Sequence, residues 1–127
     1  MPHLTIEYTD NIDSVIRIKE LLLKSNQVLT SFPDVFPIGG IRSRAIKLSD
    51  YCIADGTEDD AFVHMTLKIG SGRSEEEKRR ACDKLFNMLE DHLHELFQTR
   101  NLALSLELYE FGSFGTYKKN NIHQRFK

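Results

Sequence analysis

Apolar residues recur at every second position in three stretches of the chain, residues 3–8, 61–69 and 102–109. A period of two places alternate side chains on opposite faces of a strand, so each stretch predicts a β-strand. Residues 41–48 predict a fourth strand of mixed character. The side chains on one face of this fourth strand are those of Arg42, Arg44, Ile46 and Leu48.

Two other segments carry apolar residues at helical spacing. The first extends from Ser14 to about Ser31, and the prolines and glycines of residues 33–40 end it. The second begins after Ser74, which forms a capping-box signature with Glu77. Its predicted apolar stripe is continuous and consists of Ala81, Cys82, Leu85, Phe86, Leu89, Leu93, Leu96 and Phe97.

The order strand–helix–strand therefore occurs twice, with corresponding elements about 60 residues apart. The length of 127 residues predicts one domain, with pseudo-repeats at about 1–55 and 56–127. Each half can form a right-handed βαβ crossover. The predicted fold is α/β (α+β), a tandem βαβ repeat in which one four-stranded mixed sheet has both helices on one face.

That arrangement leaves the second face of the sheet without a cover. Sheets that are built from crossovers are normally covered on both faces, so the second face is expected to pack against sister subunits in a closed homo-oligomer. The tail after Phe111 strengthens this expectation, because its apolar side chains also require burial. They are Phe114, Tyr117, Ile122 and Phe126.

Charge and composition exclude several classes of partner. The 17 basic and 19 acidic residues give a net charge of −2, so there is no electrostatic reason to expect a nucleic acid or membrane partner. No apolar run approaches the roughly 20 residues of a membrane span, and the N-terminus lacks the features of a signal peptide. Cys52 and Cys82 lie far apart without metal-ligand spacing, which favours reduced thiols in a cytoplasmic protein. His92 and His94 are two residues apart on a helix, so no metal site is predicted.

Pro2 is the candidate catalytic residue. Its small side chain favours removal of Met1, which would leave a secondary amine at the start of the chain. A terminal amine has a pKa near ~8, and a dry pocket with cationic neighbours lowers the pKa further. Such an amine can act as a general base near neutral pH. The alternative is that Pro2 merely begins an edge strand, where its missing N–H has no cost.

Three arginines are candidate binding residues for an anion. Arg73 precedes a predicted helix, where free amides and the helix dipole attract negative charge. Arg42 and Arg44 follow the Gly39-Gly40 turn. The planar guanidinium group matches a carboxylate in a bidentate geometry. The alternative is that these arginines are solvated surface residues.

These stretches together resemble the tautomerase superfamily and, within it, the 5-carboxymethyl-2-hydroxymuconate isomerase family. The resemblance spans the whole chain. Its most specific part is the long central stretch, and the two helices match only in polarity pattern. The matching stretches are Pro2-His3-Leu4 with Glu7, Gly40-Ile41-Arg42-Ser43-Arg44, Ala54-Asp55-Gly56, residues 61–70, Gly72-Arg73-Ser74 and Lys119-Asn120-Asn121-Ile122-His123.

The resemblance implies a cofactor-independent isomerase that works as a homotrimer. Pro2 would move a proton within a small dienol carboxylate in the breakdown of homoprotocatechuate. Arg42 and Arg73 would hold substrate carboxylates, with Arg44 as a weaker candidate. Two alternatives are another keto–enol tautomerase of the superfamily and a non-catalytic trimeric binding or signalling protein of the same fold.

One departure concerns the position of the Gly-Arg-Ser motif. Small single-repeat tautomerases carry this motif soon after the first strand, but residues 10–13 of this chain contain no arginine. The motif occurs instead in the second half, as Gly72-Arg73-Ser74. The base and the anion-binding arginine are therefore expected in different halves of a fused chain.

Overall fold

The four predicted strands form one mixed sheet in a computed structural model that describes residues 1–127. In chain order they are β1 (His3–Thr9), β2 (Arg42–Leu48), β3 (Ala61–Gly70) and β4 (Leu102–Phe111). Their order in the sheet is β2-β1-β3-β4. β1 pairs with β2 in parallel and with β3 antiparallel, and β3 pairs with β4 in parallel. This confirms the mixed four-stranded sheet, with the two central strands each starting one βαβ half.

Two long helices cover one face of this sheet. They are α1 (Ile18–Thr30) and α2 (Glu75–His92). Leucines on the inner sides of both helices are fully buried against the alternate residues of β1 and β3. The central strands therefore contribute every second side chain to one core, as the period of two predicts. The buried leucines, isoleucines and methionine are Leu4, Ile6, Leu21, Leu29, Met65, Leu67, Ile69, Leu85 and Leu89.

The first helix begins four residues later than the sequence predicts, at Ile18 rather than Ser14. Residues Asp10–Ile12 form a short 3-10 helix instead, and a turn follows it. Arg17 then has φ 52° and ψ 59°, in the left-handed region. A right-handed helix cannot pass through that conformation, so α1 starts only after Arg17.

The second helix is interrupted, so the predicted apolar stripe is not continuous. Leu93 has φ −106° and ψ 17° and separates α2 from a short third helix, α3 (His94–Thr99). After the break Leu96 is still partly buried against the core. Phe97, which the stripe would bury, is 57% exposed.

The face of the sheet opposite the helices is open in the single chain. Ile46 and Tyr109 on this face are each about half exposed, and in the tail Phe114 and Tyr117 are almost fully exposed. Ile122 and Phe126 are partly covered, so Phe114 and Tyr117 are the apolar side chains of the tail that find no cover within the chain. The division into two pseudo-repeats near residue 55 stays a prediction. No helix in the structure is both long enough and apolar enough to cross a membrane.

Candidate active site

Pro2 lies at the centre of the sheet, not at its edge. It is buried and directly precedes β1, which has β2 on one side and β3 on the other. Its carbonyl oxygen accepts a hydrogen bond from the backbone N–H of Arg42 at 3.2 Å. The alternative that Pro2 begins an edge strand is therefore wrong. The nitrogen that Met1 removal would expose is held by two neighbouring strands.

A cavity of about 660 Å³ opens at this end of the sheet. Three parts of the chain that lie far apart in sequence form its walls. The first contains Pro37 and Gly40, the second contains Gly70, Ser71 and Arg73, and the third is the tail after β4. Met1 lines the same cavity. The tail residues in the wall are Phe111, Gly112, Ser113, Thr116, Lys118, Asn120 and His123.

Arg73 enters the cavity in a fixed orientation. Its Nε and Nη2 donate to the carbonyl oxygen of Val35 at 3.2 and 2.8 Å, and its Nη1 donates to the carbonyl oxygen of Gly70 at 3.0 Å. The guanidinium carbon lies 5.4 Å from the centre of the Phe36 ring, which adds a cation–π contact. Three of the five N–H donors are used in this way, and one remains on each Nη atom. Two parallel donors are what a bound carboxylate requires.

The start of α2 differs from the predicted anion site in one respect. Ser74 and Glu77 form the capping box, with Ser74 Oγ accepting from Glu77 N at 3.1 Å and Glu77 Oε1 accepting from Ser74 N at 2.9 Å. Glu75, Glu76 and Glu77 also occupy the first turn. Carboxylates at that position already complement the helix dipole and repel a further anion. The guanidinium of Arg73, rather than the free amides of the helix, is therefore the group that still offers hydrogen-bond donors here.

Arg42 borders a second, smaller cavity of about 280 Å³ that also reaches Met1. Arg44, two residues further along β2, lines neither cavity. Its Nη1 lies 3.4 Å from Nδ1 of His3 on the open face of the sheet. The structure therefore brings Arg42 and Arg73 to the N-terminal residue and leaves Arg44 outside. This matches the weaker role that the sequence suggests for Arg44.

The terminal amine is placed where its neutral form is favoured. Burial lowers the pKa of the Met1 amine below its usual value, and the positive charges of Arg73, Lys118 and Arg42 lower it further, in that order. No aspartate or glutamate lines either cavity. An unprotonated nitrogen surrounded by cations can accept a proton while the cations hold an anionic substrate.

Sequence reasoning missed the contribution of the tail to this site. Asn120 Nδ2 donates to the carbonyl oxygen of Gly39 at 2.8 Å. A Cβ atom on Gly39 would lie 2.7 Å from Cα of His123, so only glycine allows this close approach. The Gly39-Gly40 pair was the available signal, because adjacent glycines often mark a close backbone contact. Residues 119–123 resemble the family, but nothing local in the sequence places Asn120 or His123 against Gly39.

The site contains no arrangement suited to a metal ion. No group of three or more histidine, cysteine, aspartate or glutamate side chains lies close enough together to bind one. The groups that face the cavities are an amine, guanidinium and ammonium cations, the imidazoles of His3 and His123, two aromatic rings and small polar side chains. Such a set binds anions and transfers protons.

Comparison with known structures gives the class to which this fold belongs. A solved structure described as the fused 4-OT wild-type symmetric trimer covers 92% of this chain and 93% of its own, with a TM-score of 0.66 and 13% identity. At that identity the likeness concerns the fold alone. The tandem βαβ sheet is the tautomerase-superfamily fold.

Closer relatives narrow the class. The family model for 5-carboxymethyl-2-hydroxymuconate isomerase matches residues 2–126. The chain therefore belongs to the 5-carboxymethyl-2-hydroxymuconate isomerase family and is an isomerase. The 5-carboxymethyl-2-hydroxymuconate Delta-isomerase of Escherichia coli is 42% identical to it over 127 residues, which cover 100% of both chains.

Two solved structures agree with this placement. The crystal structure of a 5-carboxymethyl-2-hydroxymuconate isomerase from Deinococcus radiodurans R1 is 56% identical, has a TM-score of 0.95, and covers 99% of this chain and 94% of its own. A second structure, of a 5-carboxymethyl-2-hydroxymuconate delta-isomerase, is 28% identical and has a TM-score of 0.91. It covers 100% of this chain and 93% of its own.

Proposed function

We propose that this isomerase converts 5-carboxymethyl-2-hydroxymuconate into its conjugated 2-oxo tautomer, in the breakdown of homoprotocatechuate. The observation that carries the proposal is the position of the N-terminal residue in the lining of two cavities, which together contain four lysine and arginine side chains and no carboxylate. Such surroundings suit a substrate with several negative charges and a base that must be neutral to work. The likeness to relatives of this activity supports the same substrate.

Pro2, freed by removal of Met1, is the proposed base. Its neutral nitrogen takes the proton of the 2-hydroxyl group, and the oxygen lone pair forms the C2=O bond. The C2=C3 bond electrons then form C3=C4, and the C4=C5 electrons take a proton at carbon 5 from the protonated amine. One proton moves and no other reagent is consumed, so the reaction needs no cofactor.

The two arginines have complementary roles in this proposal. Arg73 donates its two remaining N–H groups to one substrate carboxylate, and Arg42 holds a carboxylate on the side of the smaller cavity. Their charges also stabilise the electron density that moves during the proton transfer. Arg44 contributes a more distant charge, since its guanidinium lies next to His3 outside both cavities.

We further propose that the chain works as a homotrimer in the cytoplasm. The open face of the sheet and the exposed Phe114 and Tyr117 support contacts between copies. The fused 4-OT relative of this fold is a symmetric trimer. Cys52 and Cys82 are both free thiols, which fits a reducing compartment.

The ultraviolet absorbance of the dienol tests the proposed reaction directly. Purified protein, shown by mass spectrometry to begin at Pro2, should speed the conversion of the dienol to the conjugated ketone in proportion to enzyme concentration. Heat-denatured protein at the same concentration is the control for the spontaneous reaction. A native, trimmed protein that leaves the spontaneous rate unchanged would rule out this substrate.

A further inference from the structure

Lys118 lies between the two cavities that meet at the N-terminal residue. It lines the cavity of about 660 Å³ that contains Arg73 and also the cavity of about 280 Å³ that contains Arg42. Only Met1, Phe111 and Thr116 share this property. Among these four residues, Lys118 is the one with a cationic side chain.

The tail holds Lys118 at this position through contacts on both sides of it. The backbone N–H of Ser71 donates to the carbonyl oxygen of Phe111 at 3.2 Å, which fixes the start of the tail. Thr116 Oγ1 donates to the carbonyl oxygen of Gly112 at 2.7 Å. Asn120, two residues after Lys118, is bound to Gly39 as described above. Lys118 therefore stands on a segment that is attached to both βαβ halves.

The ammonium group of Lys118 has no partner of opposite charge. It takes part in none of the six salt bridges of the chain. Lys78, by comparison, forms a close ion pair with Glu110 at 2.8 Å just beyond the site. Arg42, Arg73 and Lys118 are the cations whose charges act on the N-terminal amine, whereas Lys119 lines only the smaller cavity. These three charges repel one another until an anion enters, so a ligand with one negative group for each of them fits this arrangement best.

We propose that Lys118 binds a third carboxylate of the substrate, the one on its carboxymethyl branch, and so selects tricarboxylate dienols over dicarboxylate ones. Arg42 and Arg73 hold the carboxylates at the two ends of the six-carbon chain, and Lys118 reaches the branch from the wall between them. A lysine suits this role because its ammonium is a compact charge on a flexible stem, whereas the fixed guanidinium fork of Arg73 suits a chain end. The inference rests on the proposed function for the identity of the branch.

Two substrates that differ only in the branch test this role. One is 5-carboxymethyl-2-hydroxymuconate and the other is 2-hydroxymuconate, the same dienol with two carboxylates. Lys118→Gln should lower kcat/KM for the tricarboxylate about 10–100-fold, through KM, as expected for one charge-assisted contact. The loss for the dicarboxylate should stay below about 3-fold. Rates are compared at a pH where the terminal amine is neutral in every variant.

Lys118→Arg is the conservative variant and should restore much of the preference. Lys19→Gln removes the same charge from the exposed side of α1, away from the site, and should leave kcat/KM unchanged for both substrates. If Lys118→Gln lowers kcat/KM equally for both substrates, or for neither, Lys118 does not bind the carboxymethyl branch and the proposal fails.

An unreactive pair of ligands separates this inference from the proposed function. Propane-1,2,3-tricarboxylate and glutarate share a five-carbon chain and differ by one central carboxylate, and calorimetry gives the Kd of each. Wild-type protein should bind the tricarboxylate at least ~10-fold more tightly, and Lys118→Gln should remove this preference. Equal binding of the two by wild type would overturn the role of Lys118. If wild type keeps the preference but does not isomerise the dienol, the proposed function fails while the role of Lys118 stands.

Discussion

The guanidinium of Arg73 donates two hydrogen bonds to the carbonyl oxygen of Val35, at 3.2 and 2.8 Å. Val35 belongs to the first βαβ half and Arg73 to the second. This contact joins the segment between α1 and β2 to the residues that precede α2. The assignment of the base to one half and of the anion-binding arginine to the other stays a prediction.

The proposed proline mechanism makes activity depend on which residue begins the chain. A retained Met1 makes the Pro2 nitrogen a tertiary amide, whose lone pair is delocalised and cannot accept a proton at neutral pH. We expect trimmed wild type to be the most active form, trimmed Pro2→Ala to be weaker, and the Met1-retaining form to lose about 10²–10⁴ in rate. Full activity of a sample that mass spectrometry shows to retain Met1 would falsify the proline mechanism.

The best comparison uses one preparation before and after digestion with methionine aminopeptidase. Both samples then share the same fold and concentration, and only the first residue differs. Activity should appear in step with the loss of Met1, measured by mass spectrometry at each time point.

The three arginines should rank in a definite order. Arg73→Ala and Arg42→Ala should each lower kcat/KM by roughly 10–150-fold, since a charge-assisted hydrogen bond contributes about 1.5–3 kcal/mol. Arg44→Ala should do less, because its side chain lies outside both cavities. Arg79→Ala, on the exposed side of α2, is the control. A larger loss for Arg44→Ala than for the other two would show that the anion site is wrongly assigned.

The pH dependence of kcat/KM should report the terminal amine. At the Met1 amine, burial and the charges of Arg73, Lys118 and Arg42 lower the pKa, and the Pro2 nitrogen next to it is expected to experience the same charges once Met1 is removed. The neutral form is the active one, so kcat/KM should rise with pH and level off, with a midpoint below the ordinary value of about 8. Arg73→Gln should move the midpoint to higher pH, because it removes a charge that opposed protonation. Arg79→Gln should leave the midpoint in place, and a shift to lower pH in Arg73→Gln would contradict the proposed electrostatics.

His92 should make the fold sensitive to acid, at the end of the helices away from the cavity. The ring is buried, with Nε2 donating to the carbonyl oxygen of Ile16 at 2.7 Å. Nδ1 lies 3.2 Å from Nζ of Lys24, so the neutral ring accepts a bond there. Burial lowers the pKa of His92, the bond to Ile16 raises it, Arg17 and Lys24 lower it, and Glu20 raises it, with a net lowering.

The sign of the effect on stability follows from that lowering. Below about pH 6.5 the unfolded chain protonates this histidine more readily than the folded chain does, so the free energy of unfolding falls as the pH falls. Denaturant titrations at pH 7.5 and 5.5 should show this loss in wild type and a smaller loss in His92→Gln. His94 is an exposed neighbour, so His94→Gln should lose as much free energy of unfolding between pH 7.5 and 5.5 as wild type does. If His92→Gln loses as much free energy of unfolding as wild type, the acid sensitivity comes from other groups, such as His3, whose pKa is also lowered.

The open face of the sheet should hold the oligomer together. Light scattering should give a mass about three times the 14.7 kDa of one chain. Ile46→Asp, which places a charge on the open face, should shift this mass toward a monomer. Leu23→Asp changes an even more exposed residue on α1 and should leave the trimer intact. If light scattering shows a stable wild-type monomer, both the predicted trimer and the role assigned to this face are wrong.

The sequence predicts those elements whose signals are local. The alternation in β1 and β3 and the Ser74–Glu77 capping box appear in the structure at the expected places. The start of α1 was missed because the left-handed backbone at Arg17 has no glycine or asparagine to signal it. The break at Leu93 was missed because the apolar spacing continues across it.

The site could be predicted only where a residue type has a specific chemical meaning. Pro2, Arg42 and Arg73 meet that condition, since an N-terminal amine and guanidinium groups suggest a base and an anion site. Lys118 does not, because one lysine among several in a polar tail looks like surface charge. Its position depends on the contacts of the tail with residues 39–40, which lie about 80 positions earlier in the chain.

The cavity is built from both ends of the polypeptide. Met1 and His123 line it together, so its first wall is synthesised at the start of translation and its last wall almost at the end. A ribosome-bound chain that has not yet released residues 111–123 can carry a trimmed proline but has no enclosed site around it. The charge of Lys118 does not yet act on the terminal amine at that stage, so residues 111–123 complete the surroundings that lower its pKa.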